Sequence, residues 1–364
     1  MKKTLLALSV LGAFAGAASA QTSITTYGVL DAGISYEKAP SSNPNAGDKT
    51  SLQSGIATPS RIGFKGTEEI GQSLKAIFDI EAGIQINNGQ STDSGTLFNR
   101  QSWLGLSGDF GTVMVGRQFT PMYDAVYALD PFELGMAGNA GNLMHLGGAN
   151  LFGKNLIGGN NFALINGGGS QSQNNSMRYL SHDWNGFSLE INYGLGGQAG
   201  STSDFAETGY TVNYANGPVM LLTSYDEINN ANNSNRLKTE LVGGSIDWTD
   251  IGMPIKTNVA YQINKGTDLI GVGPVDSTNL LIGLRVPMGP HEVLFSYIHN
   301  SNNNNGAKAD QYALGYTYAL SKRTTFYTSI GDISNKNGAN FTLGNGSNAG
   351  YGIKAFDLGL RHSF

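Results

Sequence analysis

Leu74-Lys75-Ala76-Ile77-Phe78-Asp79-Ile80-Glu81-Ala82-Gly83-Ile84-Gln85 is the stretch from which the fold is read. Leu74, Ala76, Phe78, Ile80, Ala82 and Ile84 alternate with Lys75, Asp79, Glu81 and Gln85, so every charge falls on one side of an extended chain. A strand of this kind has an apolar face and a polar one. The same period of two recurs along the chain in both directions. Leu30, Ala32 and Ile34 oppose Tyr27 and Asp31, while Phe187, Leu189, Ile191 and Tyr193 oppose Ser188, Glu190 and Asn192. Val259, Tyr261 and Ile263 alternate with Asn258 and Gln262, and Tyr312, Leu314, Tyr316 and Tyr318 repeat the pattern. No segment of any length has a helical period.

Marking each such segment predicts sixteen strands, among them 58–67, 96–107, 175–183 and 351–363. The connections alternate in kind. Those at 66–71, 107–111, 215–218 and 286–290 are short, whereas those at the other end are long and rich in Asn, Gly and Ser. An even number of strands with short turns at one end and long polar loops at the other predicts an all-β fold, a 16-stranded antiparallel transmembrane β-barrel. Closure is what permits a sheet in lipid, because it leaves no unpaired backbone edge. A barrel of ~16 strands is too wide for its side chains to fill and encloses water.

Composition agrees. Charged residues are 13% of the chain, against ~25% in an average soluble protein, and Gly accounts for 51 of 364 residues. A hydrophobic fraction of 40% and a mean hydropathy of -0.19 exclude a bundle of apolar helices. The absence of Cys excludes disulfides, thiolate metal sites and Cys nucleophiles. Lys2 and Lys3, the apolar run 5–15 and Ala18-Ser19-Ala20 read as a cleaved export signal over residues 1–20, leaving a single barrel domain over 21–364. Loss of the two lysines takes the formal charge from -5 to -7, which argues against a nucleic-acid partner. The five His, at 145, 182, 291, 299 and 362, are scattered and form no Ser/His/acid arrangement. Neither an enzyme nor a cofactor or metal is expected.

One connection, about 119–174, is far longer than the rest, and inserts of that length are usually functional or disordered. Its first part carries Tyr123, Tyr127, Leu129, Phe132, Leu134 and Met136, apolar enough to pack; residues 160–175 read as solvated. Residues 119 to about 148 are therefore expected to fold into the barrel and narrow it.

The run Ser60-Arg61-Ile62-Gly63-Phe64-Lys65-Gly66-Thr67-Glu68-Glu69, with Phe98-Asn99-Arg100-Gln101, Gly105-Leu106-Ser107 and Val115-Gly116-Arg117-Gln118, resembles the general diffusion porins of Gram-negative outer membranes. The subgroup it is most similar to is the beta-proteobacterial type. The resemblance implies a homotrimer whose third loop forms an eyelet, with wall arginines facing loop carboxylates. By position it assigns Arg61 and Arg100 to the wall cluster, with Arg178 as the third, and Asp130 and Glu133 to the eyelet, with Asp124 nearer the loop's root. Alternation supports two of these: Arg61 opposes outward Ile62 and Phe64, and Arg178 opposes Met177 and Tyr179. Arg100 shares a face with Leu104 and Leu106, which leaves its direction open. Asp31, Lys65, Lys75 and Arg117 are further candidates for the lumen, Arg117 as a tie to the loop's start.

The implied function is a water-filled channel for ions and small hydrophilic solutes; the alternatives are a substrate-specific channel, or a barrel hydrolase or adhesin. Three arginines against Asp130 and Glu133 leave an excess of about one positive charge, which predicts weak anion preference. Implied partners are outer-membrane lipid and lipopolysaccharide, the barrel assembly machinery and further copies of the chain. The terminal Phe364, following Phe356, Leu358 and Leu360, looks like the assembly signal of such barrels. Deleting Phe364 is expected to lower outer-membrane yield much more than deleting residues 302–305, as measured by immunoblot of membrane fractions; equal yields would remove the signal reading.

Overall fold

A computed structural model describes residues 23–39, 47–93, 95–147, 172–230, 233–267, 274–345 and 348–364. The export signal expected over 1–20 and the far half of the long connection lie outside the described residues. Sixteen strands form the wall: β1 (Ser23–Lys38), β2 (Arg61–Gly71), β3 (Leu74–Gln85), β4 (Gln101–Gly108), β5 (Gly111–Phe119), β6 (Ser172–Leu180), β7 (Phe187–Gly194) and β8 (Glu207–Asn216). The second half comprises β9 (Val219–Asn229), β10 (Arg236–Asp247), β11 (Lys256–Gly266), β12 (Val275–Met288), β13 (His291–Asn302), β14 (Lys308–Ala319), β15 (Thr324–Lys336) and β16 (Lys354–Ser363). Each pairs antiparallel with the next, and β16 returns to β1 from Val29↔Ser363 to Lys38↔Lys354, closing the barrel. The C-terminal Phe364 joins this seam through two backbone bonds with Gly28, at 3.2 and 3.1 Å. Two short strands, Lys49–Ser54 and Gln90–Ser91, bring the sheet to eighteen.

The alternation read from the sequence sorts side chains as it should. Leu30, Ile34, Phe64, Val115, Ile191, Val259, Leu314, Leu358 and Phe364 lie exposed on the outside, while Asp31, Ser35, Glu81, Asn192, Gln262 and Asp357 are buried on the inside. Two of the short turns, Met288–His291 and Asn216–Val219, place Gly-Pro at their centre, with Gly289 at φ 66° and Gly217 at φ 55°. A positive φ in the first central position is the requirement of a type II′ hairpin turn, which follows the twist of the strands it joins.

The seam next to β1 departs from the expected strand 58–67. The upper half of β1, Ala32 to Glu37, pairs with Lys49–Ser54, and its lower half, Ser23 to Val29, with β2. Between the two partners residues 55–60 turn inward. Asp31 holds them there: its carboxylate accepts from the N–H groups of Ile56 (2.9 Å), Ala57 (3.2 Å) and Thr58 (3.2 Å) and from the Tyr327 hydroxyl (2.6 Å). Asp31 is fully buried in this role. Its assignment as pore-lining is thereby corrected, because the carboxylate is fully buried and turned to these four donors rather than to the water of the lumen. A second departure explains Arg100. β4 begins at Gln101 rather than at 96, so Arg100 precedes the strand and is free of the parity that turns Leu104 and Leu106 outward.

Residues 120–147 lie against the inner wall. Helix α1 (Pro121–Leu129) is capped by Thr120, whose hydroxyl accepts from the Tyr123 N–H at 3.1 Å, and Pro121 opens its first turn. Met122, Val126 and Leu129, spaced for one helical face, share a buried cluster with Leu222, Leu241, Leu281 and Ile298 of β9, β10, β12 and β13. These wall residues point inward although they are apolar. The return limb is held by amides: the Gln262 side chain accepts from the His145 N–H (2.9 Å) and donates to its carbonyl (2.8 Å), and Asn142 donates to Gln311 (3.1 Å). The tip meets the inward turn of the seam, where the Met136 N–H donates to the Ile56 carbonyl at 2.6 Å.

The fit of the tip needs absent side chains on the wall. A Cβ on Gly315 would stand 2.6 Å from the Phe132 ring, and one on Gly283 2.8 Å from Pro131. Phe132 is 2% exposed and has nowhere to go. Gly315→Ala is therefore expected to cost the docked tip about 1–3 kcal/mol of overpacking. In planar bilayers this should appear as larger and noisier conductance from a barrel that keeps its heat-modifiable gel mobility; unchanged conductance would mean that the tip's packing does not set the passage.

Candidate functional site

The inner wall has two chemically distinct halves. β9 to β15 carry the apolar and amide groups that seat residues 120–147. β2, β3, β6 and β7, with the turn before β4, carry one cluster of arginines and carboxylates, and a second, Arg285 with Glu292, stands on β12 and β13.

Arg61 and Arg100 converge on one acid. Glu81 of β3 receives Nε of Arg61 at 3.1 Å and Nε of Arg100 at 2.6 Å. Arg61 also donates to the Pro59 carbonyl (3.0 Å) and the Thr58 hydroxyl (3.2 Å), so the inward turn of the seam orients it. Arg100 lies over the Phe119 ring, 5.2 Å from its centroid. The Glu81 side chain is 4% exposed, against 24% for Arg61 and 12% for Arg100. Arg61 thus keeps more of its side chain toward the water, with the acid behind it, while Arg100 is mostly enclosed between Glu81 and Phe119. The loop opposes them with a row of aromatic rings: Phe119 stacks on Tyr123 at 4.7 Å, and Tyr123 is followed by Tyr127 at 6.2 Å. Burial, with Glu133 beside it, pushes the Tyr127 hydroxyl up to about 12, so it stays a neutral donor.

Arg178 is a different kind of residue from the other two. Its guanidinium pairs with Asp124 of α1 and with Glu190 of β7 (2.5 Å), donates to the Phe119 carbonyl (2.9 Å), and is 9% exposed. It fastens the root of the loop to the wall. Arg117 does the same on the other side of that root, donating to the Asn99 carbonyl (2.7 Å) and the Asn174 side chain (2.6 Å).

The two expected eyelet acids separate. Asp130 is 2% exposed, and its carboxylate accepts from the N–H groups of Phe132 (3.0 Å), Leu134 (3.0 Å) and Ala140 (2.9 Å). Burial pushes its carboxyl up to about 6, against those three bonds. It shapes the loop from within and does not face the passage, which corrects its assignment to the constriction. Glu133 does face water and pairs with Arg285 of β12 at 2.7 Å; burial alone would raise its carboxyl, but Arg285 holds it below the usual range. Lys65 stands above the Tyr27 ring, whose hydroxyl donates to Asp79 at 2.7 Å. Lys75 pairs with Glu69 at 2.8 Å beside the short turn Gly71–Leu74, away from the cluster.

Sequence reasoning did not single out Glu81, Glu190, Arg285, Glu292 or Arg361. Arg285 in Leu284-Arg285-Val286 and Arg361 in Leu360-Arg361-His362 carry the signal that would have found them, a charge beside apolar residues that face outward. The doubled apolar pairs Leu221-Leu222 and Leu280-Leu281 likewise announce strands with an apolar patch on both faces, hence a seat for something inside.

Comparisons with known proteins bear on the whole chain. A family model described as Gram-negative porin matches residues 7–338. Outer membrane porin protein 32 of Delftia acidovorans is 31% identical, over the full length of both chains. An outer membrane porin protein of Bordetella pertussis is 28% identical, over 90% of this chain and 93% of that one. Among solved structures, the anion-selective porin from Comamonas acidovorans superimposes with a TM-score of 0.78 at 25% identity, covering 94% of this chain and all of that one. A closed sixteen-stranded wall, an inner face of arginines and carboxylates, and matches of this length make the protein an outer-membrane channel for passive diffusion rather than an enzyme, and the chain belongs to the Gram-negative porin family.

Proposed function

We propose that solutes pass between the Arg61–Arg100 wall and the loop face formed by Tyr127 and Glu133, and that the passage weakly prefers anions. The observation that carries this reading is the sharing of Glu81: two guanidiniums in front of one shielded carboxylate leave a positive surface toward the water. The loop acids oppose it only in part, since Asp124 is paired with Arg178 and Glu133 with Arg285. Charges on the external loops count for less, because they are screened within about 8 Å at physiological ionic strength, whereas the lumen groups stand in a narrow passage. The anion selectivity named for the Comamonas acidovorans porin accords with this reading.

The same proposal takes residues 1–20 as a cleaved leader, Phe364 as the element read by the assembly machinery, and the assembled form as a homotrimer in contact with lipopolysaccharide. The outward apolar band, with Leu30, Ile34 and Phe64 in and around the seam, suits burial against a second copy. On mild gels the unheated protein is expected to migrate as a detergent-stable oligomer and to shift on boiling; a monomer before heating would count against assembly.

Reversal potentials in a salt gradient test the selectivity. Wild type is expected to favour anions weakly. Arg61→Ala and Arg100→Ala should each move the potential toward cations and raise conductance slightly, and Glu81→Gln should move it further toward anions. Strong cation preference in the wild type, or no movement in any of the three variants, would overturn the assignment.

A further inference from the structure

On the short-turn side of the loop tip, a recess of about 50 Å³ opens between Phe132–Glu133 and the inner wall of β12, β13 and β16. Three surfaces meet in it. Phe132 and Leu294, both almost fully buried, make an apolar floor. Arg285 is gripped from two sides, by Glu133 at 2.7 Å and by Glu292 at 2.8 and 3.0 Å, so this trio carries one negative charge in surplus. Arg361 of β16 lines the same recess; its guanidinium is close enough to act on the charges of Glu133 and Asp31, but among the described residues its side chain makes no ion-pair contact or hydrogen bond.

We propose that this recess binds a small α-amino acid. A lone anion would meet Arg361 but also the surplus carboxylate of the trio, and a lone cation would meet the reverse. Phosphate or sulfate would have nothing to set against Phe132. A dipolar ion satisfies both charges at once: its α-carboxylate accepts from the Arg361 guanidinium, which presents parallel N–H groups to a carboxylate, and its ammonium donates to Glu133 or Glu292. A short aliphatic side chain lies on Phe132 and Leu294. A recess of this size holds a few water-sized groups, which limits the ligand to about the size of glycine or alanine. The channel would then contain a saturable step for such solutes below its narrowest part. The inference does not rest on the Arg61–Arg100 reading: the two sites share only Glu133, and Arg361, on which the test turns, belongs to the recess alone.

The test uses the assembled protein in planar bilayers, with alanine added to the short-turn side, and propionate and ethylamine as its two charged halves. Alanine is expected to reduce ionic current saturably, and each half to be at least about tenfold weaker, the effect of losing one charge-assisted contact. Arg361→Gln should raise the half-blocking alanine concentration about tenfold, and Arg361→Lys should restore part of the effect. Arg61→Ala should shift the reversal potential and leave the alanine block unchanged, so the two assignments fail separately. A block that does not saturate, one equal in wild type and Arg361→Gln, or propionate as effective as alanine would overturn the proposal. Equilibrium dialysis of labelled alanine against the detergent-solubilised wild type, with propionate as competitor, decides the matter should Arg361→Gln not assemble: retention displaced by excess unlabelled alanine and far less by propionate is expected, and retention not displaced by alanine, or displaced equally by propionate, would also overturn it.

Discussion

Closure of the sheet is the constraint on which everything else in this molecule depends. In lipid a backbone N–H or carbonyl without a partner costs several kcal/mol, and pairing β16 to β1 removes the last open edge. Once the wall is closed, each side chain belongs either to lipid or to the lumen, because the direction alternates along a regularly paired strand. Apolar residues are drawn to the outer face. The chemistry of the channel is consequently confined to every second residue of the wall and to whatever the connections send inside.

A wall of sixteen strands encloses more space than inward side chains fill, and here residues 120–147 occupy part of it. The difficulty is seating an apolar segment against an inner face that is mostly polar. The protein solves it by interrupting the polar lining over β9 to β13 with Leu222, Leu241, Leu281 and Ile298 beneath α1. Each fully buried side chain of this kind contributes roughly 1.5–3 kcal/mol. The non-helical part of the segment cannot satisfy its own backbone, and two carboxylates supply the missing acceptors. Asp130 gathers three N–H groups inside the loop, and Asp31 gathers three more in the turn of the seam that receives the loop's tip. A short polar side chain with four acceptor sites replaces the ladder that irregular backbone lacks.

The charged half of the wall follows another logic. Arg178 and Arg117 serve anchorage, while Arg61 and Arg100 share Glu81, Arg61 keeping the larger part of its side chain toward the water. Sharing keeps the pair assembled, since two guanidiniums facing each other without an acid would repel, and one acid for two cations leaves charge over. Arginine suits this task because its planar head accepts neighbours on its edges and on its faces, as Arg100 does with Glu81 and Phe119.

The sequence by itself determined the wall: the alternation at 74–85 and its repeats specify strands, their lipid face and their lumen face, because that period is a local property of extended chain. The alternation also turned Arg61 inward, and the apolar run marked residues 119–148 as a segment able to pack, whereas Glu133 was reached only through the family resemblance. The sequence did not distinguish Asp31 and Asp130, which turn their carboxylates to backbone N–H groups, from acids that face water, since the donors come from residues 55–60 and 132–140 brought near only by folding. Nor did it pair Arg61 with Arg100, or Arg285 with Glu133, which stand 152 positions apart in the chain. Parity tells which face a side chain takes; which neighbours it meets there depends on the register around the barrel and on the path of the loop. Those are set by long-range contacts that no local pattern encodes.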